Sequence, residues 1–582
     1  MSNEVRKDFR SKLNHSGAGR AFGETGARLL LLLLSVISAA LLSAACSTGD
    51  HANSNASSAG EKNVGLTTTS NTASMMANTN TSGTAGASAT RMRADADARY
   101  YDEPADAENY SEIDENPFRE VARAPLSTFS VDVDTASYSN TRRFINDGQL
   151  PPKDAVRVEE LINYFSYDYP QPAGTAPFSV TAEVGECPWN REHRLVHIGL
   201  QGRRVQTENL PPANLVFLID VSGSMDEPRK LPLLKSALRM LAEQLTARDR
   251  VAVVVYAGTS GLALPSTPGD RRSEILGAIN RLEAGGSTNG GEGIQLAYRI
   301  AQENFIRGGT NRVVLAIDGD FNVGVTNESE LVRLIEEKRR GGVSLSVLGF
   351  GTGNLNDSMM EKLADKGDGN YAYIDTSAEA RKALGEQVAG TLVTIAKDVK
   401  IQVEFNPRLV AGYRLIGYEN RLLRSEDFND DAKDAGEIGA GHTVTALYEV
   451  VPAGRKVNAT GVDKLKYQEP VAPAAGAQSS EMLTVKLRYK EPAGRESQLV
   501  SVGVADRGAA LSETSENFRF SAAVAAFGML LRDSKHRGDI GYDQVLQLAR
   551  DSTGADLRGY RREFISLAQA ARTLAAREGT GR

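Results

Sequence analysis

Five short apolar runs, at residues 215–220, 250–256, 312–318, 343–350 and 371–375, are separated by stretches with helical spacing. Strands without a polar face have no side for water, so they require a sheet covered by helices on both faces. The alternation of strand and helix predicts a doubly wound, Rossmann-like parallel α/β sheet. Ligands of such sheets bind in the crevice outside the carboxyl ends of the strands. Asp220 and Asp318, at the ends of the first and third runs, fall there.

Asp220 opens the loop Asp220-Val221-Ser222-Gly223-Ser224, which gathers one carboxylate and two hydroxyls. A hard cation such as Mg²⁺ takes near-octahedral oxygen ligands at about 2.0–2.1 Å and keeps several waters, so further oxygens are needed. Thr288, in the turn Gly285-Gly286-Ser287-Thr288-Asn289-Gly290, and Asp318 supply them if both turns sit beside the first loop. Two carboxylates roughly balance a divalent ion, while neutral hydroxyls leave it electrophilic enough to take an acidic group from outside. These three pieces, in this order, resemble the metal-ion-dependent adhesion site (MIDAS) of von Willebrand factor type A (VWA) domains. The resemblance implies Ser222, Ser224 and Thr288 as ligands, with Asp220 and Asp318 mostly behind them and one position open for a partner's Asp or Glu. Mg²⁺ is the expected ion, with Mn²⁺ or Ca²⁺ as alternatives. Asp320 and Asp226 are candidates for the outer shell or rim, and residues 225–229, 256–262, 321–327 and 351–357 for the selective rim. The resemblance also implies that the last helix of the unit, residues 378–395, shifts between low- and high-affinity states.

The N-terminus carries Arg6, Lys7, Arg10, Lys12, Arg20 and Arg28, then the apolar residues 29–42, then Leu42-Ser43-Ala44-Ala45-Cys46. Residues 1–46 read as an export signal whose end resembles the bacterial lipobox, where the cysteine is lipidated and becomes the mature N-terminus. The competing reading is a transmembrane anchor, for which the apolar stretch is at the low edge of the roughly 17–25 residues required. With Cys46 lipidated, Cys187 has no partner within the mature chain, and the core must hold the fold. Ser47 is not the aspartate that some bacteria read as inner-membrane retention, which favours the outer membrane over the inner. Residues 47–115, rich in Ser, Thr, Asn and Ala and then acidic, cannot bury a core and are expected to form a disordered tether. The net charge of -7 includes the basic leader, so the processed chain is more acidic still, which argues against nucleic acid as a partner.

Residues 116–210 form an N-terminal region with a helix around 156–165. Here Glu115-Asn116-Pro117-Phe118 and Ser130-Val131-Asp132-Val133-Asp134-Thr135-Ala136-Ser137-Tyr138 resemble the region that accompanies the type A domain in a bacterial lipoprotein family. Asp132 and Asp134 alternate in a strand read over 129–134. They are taken as polar-face or turn-capping residues, because no third ligand is in register. Residues 178–185 and 194–202 alternate apolar and polar positions, as do 399–405, 443–451, 483–489 and 499–504. Such strands on both sides of the α/β unit predict that the unit, 211–397, is inserted in or flanked by an antiparallel β-sandwich. The remainder, 398–582, ends in helices at 518–531 and within 542–582 that should pack on the sandwich.

Several other chemistries are set aside. The stretch from Asp318 begins like a calcium loop but has Val323 at position six and Ser329 at position twelve. The glycines at 285–291 lack the lysine of a P-loop, and Asn354 breaks a dinucleotide fingerprint after Gly349-Phe350-Gly351-Thr352-Gly353, so no nucleotide is expected. His193 and His197 would share a strand face without any zinc motif around them. Cys187 beside Trp189 reads as a small buried residue, and Ser222 is not in a Gly-x-Ser-x-Gly elbow. With no nucleophile and base pair, the expectation is not an enzyme. It is a lipid-anchored, cell-envelope module that captures an acidic residue of a partner protein. The rivals are a metal-dependent envelope hydrolase drawing its base from Asp320, Asp226 or Glu292, and a scaffold in which the ion only staples loops.

Overall fold

The computed structural model describes residues 108–257, 259–286, 291–319, 328–386, 393–458 and 478–580. Cys46, the export signal, Thr288, Asp320 and residues 321–327 lie outside the described residues. The described chain first lays down β1 (Arg119–Glu120), β2 (Leu126–Ser130), α1 (Ala136–Asn146), α2 (Val158–Asn163), β3 (Phe178–Glu186) and β4 (Arg194–Gly202). The α/β unit follows: β5 (Ala213–Asp220), α3 (Leu231–Ala242), β6 (Arg250–Ala257), β7 (Thr259–Pro268), α4 (Arg272–Asn280), α5 (Gly291–Glu303), β8 (Thr310–Ile317), α6 (Glu328–Arg340), β9 (Ser344–Phe350), α7 (Asp357–Lys366), β10 (Tyr371–Ile374) and α8 (Ser377–Arg381). The chain then adds β11 (Thr394–Phe405), β12 (Val410–Ile416), β13 (Leu422–Leu423), β14 (Gly436–Gly439), β15 (Thr443–Pro452), β16 (Glu481–Lys490), β17 (Ser497–Ala505), α9 (Glu516–Leu531), α10 (Tyr542–Asp551) and α11 (Tyr560–Thr580).

The central sheet has the order β10-β9-β8-β5-β6-β7, with β5 parallel to both β6 and β8. Leu215, Phe217 and Ile219 face one helical layer, and Val216 and Leu218 face the other, as the period of two in a strand dictates. The sheet is mixed, because β7 runs antiparallel to β6. A link this short cannot make the crossover that a parallel pair needs. Residues 256–262, expected on the rim, are therefore largely this edge hairpin.

Two antiparallel sheets, β1-β12-β15-β4-β3 and β13-β2-β11-β16-β17 with β14 beside β11, close over one core that includes Phe129, Ile198, Ile401, Tyr448 and Val485. The pairs β4 with β15 and β2 with β11 each join a strand from before the α/β unit to one from after it. The unit is thus inserted in a sandwich, as the strand pattern predicted. Helices α9, α10 and α11 share a core with α2, Trp189, Leu195 and Leu447 on the outer side of the first sheet. Among the described residues no helix is long and apolar enough to cross a membrane.

Some local expectations change. The last helix of the unit does not run over 378–395: α8 continues as a π-helical turn over Lys382–Glu386, and Thr394 and Ile395 already belong to β11. Glu108 and Asn109, placed in the tether by composition, pack on the α/β unit, where Asn109 N–H donates to the Leu355 carbonyl at 2.9 Å. Asp132 and Asp134 are not strand residues, because the ladder with β11 ends at Ser130. Both instead reach Arg421, at 3.2 and 3.3 Å. His193 precedes β4 and binds Glu449 at 2.6 Å, while His197 is buried against the Tyr169 hydroxyl at 2.9 Å, so the pair forms no metal site. Cys187 is a free, buried thiol in the helical core.

Three buried arginines of the frame join it to the insert. Arg157 binds Asp357 at 2.7 Å, and Arg421 binds Glu361 at 3.0 Å and also Asp365. These three acids recur every fourth residue along α7 and so share one face. Arg142 binds Asp375 at 2.5 Å and Glu379 at 2.8 Å at the end of the insert, and Glu563 of α11 at 3.0 Å. Removing one partner from such a buried network strands the others at a cost of about 3–5 kcal/mol. Arg421→Met should destabilise the protein by about that amount at pH 7, measured by urea unfolding. The penalty should shrink at pH 5, since burial raises the Asp134 carboxyl and lifts that of Asp365 to about 7, so both take up protons more readily than in the unfolded chain.

Candidate metal centre

Asp220 ends β5 completely buried, and its Oδ1 accepts the Ser222 N–H at 2.8 Å. Its Oδ2 is also buried, with the Tyr256 hydroxyl as the polar group beside it. The Ser222 and Ser224 hydroxyl oxygens lie 3.0 Å apart, the first buried and the second open to solvent. The turn that leads to Thr288 is stitched to this loop. Gly285 N–H donates to the Val221 carbonyl at 2.7 Å, and Gly223 N–H to the Gly286 carbonyl at 3.1 Å. Gly286 has φ +89°, a conformation open to glycine at little cost. The two loops are therefore adjacent up to Gly286.

Asp318, one residue beyond β8, is 1% exposed. Its Oδ2 accepts from Lys230 Nζ at 3.2 Å, and its Oδ1 is buried without a hydrogen-bond partner among the described residues. Burial raises the Asp220 carboxyl to about 6, with the Asp318 charge adding and the Ser222 hydrogen bonds opposing. Two buried carboxylates beside two converging hydroxyls are a donor set suited to a hard divalent cation, and unfavourable without positive charge. Among the described residues no group of three His, Cys, Asp or Glu side chains is placed to hold a metal ion, so an ion here depends on hydroxyl and water ligands. Asp226 is exposed on the 3₁₀ turn Gly223–Asp226, and Glu292 is exposed on the first turn of α5.

Sequence reasoning missed Lys230, and it placed Tyr256 on the selective rim, whereas its hydroxyl is buried beside Asp220. The buried Lys230 ammonium supplies one positive charge to the carboxylate pair. Gly351, at φ +77°, makes room for it, since a Cβ there would stand 2.2 Å from Lys230 Cε. The same rim loop also touches the residue after Asp318, because Gly319 packs against the Asn354 carbonyl. A single lysine in a charged stretch carries no sequence signal of burial, and Tyr256 reads as one more apolar residue of β6.

Loops at the carboxyl ends of β5 and β8, with this oxygen-rich donor set and sheet order, define a VWA domain. Family models agree: "von Willebrand factor type A domain" matches residues 214–387, "von Willebrand factor" residues 104–197, and "Uncharacterized protein YfbK, C-terminal" residues 390–574. "Uncharacterized protein YfbK" of Escherichia coli (strain K12) is 46% identical over 469 residues, which is 79% of this chain and 80% of the relative. The chain belongs to the YfbK family of VWA-domain proteins. Human inter-alpha-trypsin inhibitor heavy chain H3 is 29% identical over 262 residues, covering 41% of this chain and 28% of that protein. Among solved structures, a von Willebrand factor type A protein from Catenulispora acidiphila is 17% identical with a TM-score of 0.38, over 67% of this chain and 89% of that one. The ArnB paralog VWA2 from Sulfolobus acidocaldarius is 15% identical with a TM-score of 0.34, over 69% and 98%.

A carboxylate raised by burial destabilises the fold once it is ionised. In chelator at pH 7, Asp220→Asn should therefore raise metal-free stability by about 1–3 kcal/mol in urea unfolding. The gain should fade as pH drops from about 6 toward 4, where the native carboxyl is already protonated in the folded state.

Proposed function

We propose that this chain is a lipid-anchored protein-binding module of the bacterial cell envelope, which grips an acidic residue of a partner protein through a divalent ion. Residues 46 and 47 support anchoring at Cys46, with the outer membrane favoured. The observation that carries the binding reading is the pair of buried carboxylates, Asp220 and Asp318, the latter with its Oδ1 unmatched among the described residues, beside the Ser222 and Ser224 hydroxyls. Ser222 and Ser224, with Thr288, would hold Mg²⁺, or Mn²⁺ or Ca²⁺, and Asp220 and Asp318 would balance its charge. A bound ion supplies a Lewis-acidic position for an incoming Asp or Glu carboxylate. The chain's own part is to fix the serine loop against the Gly285-Gly286 turn, so that little reorganisation accompanies binding. One carboxylate contact cannot discriminate among partners, so selectivity belongs to the rim loops around 225–229 and 351–357.

The reading is non-catalytic. Asp226 and Glu292 are exposed carboxylates, whereas a general base needs a position and an environment that tune it.

Calorimetric titration of Mg²⁺ and Mn²⁺ should show one site in the wild type and none in Asp220→Ala or Ser222→Ala. Capture of an acidic partner should vanish with EDTA and with the same substitutions, while the variants stay folded by circular dichroism. A loss of fold without metal would instead support the stapled scaffold. Cys46→Ser should move the protein from the membrane fraction to the soluble fraction.

A further inference from the structure

The end of the central sheet opposite the candidate metal centre holds a buried cation, Arg312, that makes no direct ion pair among the described residues. Arg312, near the start of β8, pairs in register with Leu215 and Ser344, and is 4% exposed. Its Nη1 donates to the Ser346 hydroxyl at 2.5 Å, and its Nε is buried with no hydrogen-bond partner among the described residues. Among the described residues no carboxylate lies within ion-pair distance of it, although Glu437 and Asp368 act on it from further away. Asp134 is nearby but committed, with Oδ1 on the Tyr371 N–H at 2.7 Å and Oδ2 toward Arg421 at 3.3 Å. An isolated buried guanidinium is costly, and the cost falls when an anion with matching geometry pairs with it.

Arg312 and Asp134 both line a cavity of about 70 Å³ whose other walls are mainly apolar, Phe217, Val314, Leu348 and Leu384 among them. One water needs about 10–15 Å³ of such space together with two to four polar partners, so these walls suit several heavy atoms of an aliphatic body better than a water cluster. The cavity is reached from outside. Val133, Thr135, Asn370 and His442 line both it and a cleft of about 900 Å³ between the sandwich, the insert and the C-terminal helices. The cleft walls carry charges of both signs, including Arg204, Arg561, Asp168 and Glu516, so preference for an anion must come from the inner end.

We propose that this cavity is a binding site for a short-chain aliphatic monocarboxylate, with the carboxylate on the Arg312 guanidinium and the chain against the apolar walls. The site is independent of the metal centre and of any partner captured there. Its ligand enters through the cleft and makes the charge-assisted hydrogen bond that Arg312 Nε lacks among the described residues.

The test is calorimetric titration of sodium pentanoate into the full chain, with 1-pentanol as the uncharged control. Pentanoate should bind one to one, and 1-pentanol at least tenfold more weakly. Arg312→Gln should weaken pentanoate at least tenfold and leave 1-pentanol unchanged. Ala383→Leu, which keeps the charge and narrows the cavity, should abolish binding with the melting temperature retained. The proposal is overturned if the wild type does not bind pentanoate, or if it binds the acid and the alcohol alike. It is also overturned if either variant binds pentanoate as the wild type does.

Discussion

Buried guanidinium–carboxylate contacts hold the two halves of this protein in one arrangement. The insert leaves the sandwich after β4 and returns at β11, so two covalent links alone would leave it free to pivot. Arg157 and Arg421 take the acidic face of α7, and Arg142 takes Asp375 and Glu379 where the insert ends. Buried ion pairs add little net stability, because desolvation offsets most of the Coulomb attraction. Their geometry is demanding, however, and a planar fork that must meet several carboxylates admits few orientations. Arg142 also holds Glu563 of α11, so the C-terminal helices, the frame and the end of the insert meet on one side chain.

That arrangement bears on the site. The rim loop 351–355 leads into α7, so the contacts that fix α7 also fix the loop that packs on Lys230 and Gly319. The carboxylate pair of Asp220 and Asp318 is an unfavourable concentration of negative charge, met in part by the Lys230 ammonium. The cost of keeping two carboxylates buried is borne by the surrounding core: both strands that present them are embedded between helical layers. Strain and unmatched charge of this kind persist only where the rest of the fold over-determines them.

The sandwich explains how a chain with one buried free thiol keeps an inserted domain in place. Each sheet contains strands from both sides of the insertion, so completing either sheet requires the two ends of the insert to come together. The pairing of β2 with β11 spans far more sequence than a hairpin does, which is the kind of non-local contact that slows folding.

The sequence by itself determined the layers. Apolar runs with no polar face required a sheet covered on both sides, alternating strands on either side of that sheet required a second core, and Asp220 and Asp318 at the ends of β5 and β8 marked the crevice. Those features depend on local period and composition, which a single chain displays directly. What only the tertiary structure decided is where charge is buried. Lys230 and Arg312 look like surface residues in sequence, because burial of a cation depends on what folds over it. Asp132 and Asp134 look like one face of a strand, but the strand ends at Ser130 and a guanidinium almost three hundred positions away in the chain takes both. Asp357, Glu361 and Asp365 recur every fourth residue on one face of α7, and the docked sandwich is what buries that face. The turn from β6 into β7 likewise reads as a loop until the edge of the sheet pairs with it, since an edge strand draws its order from its neighbour and not from its own sequence.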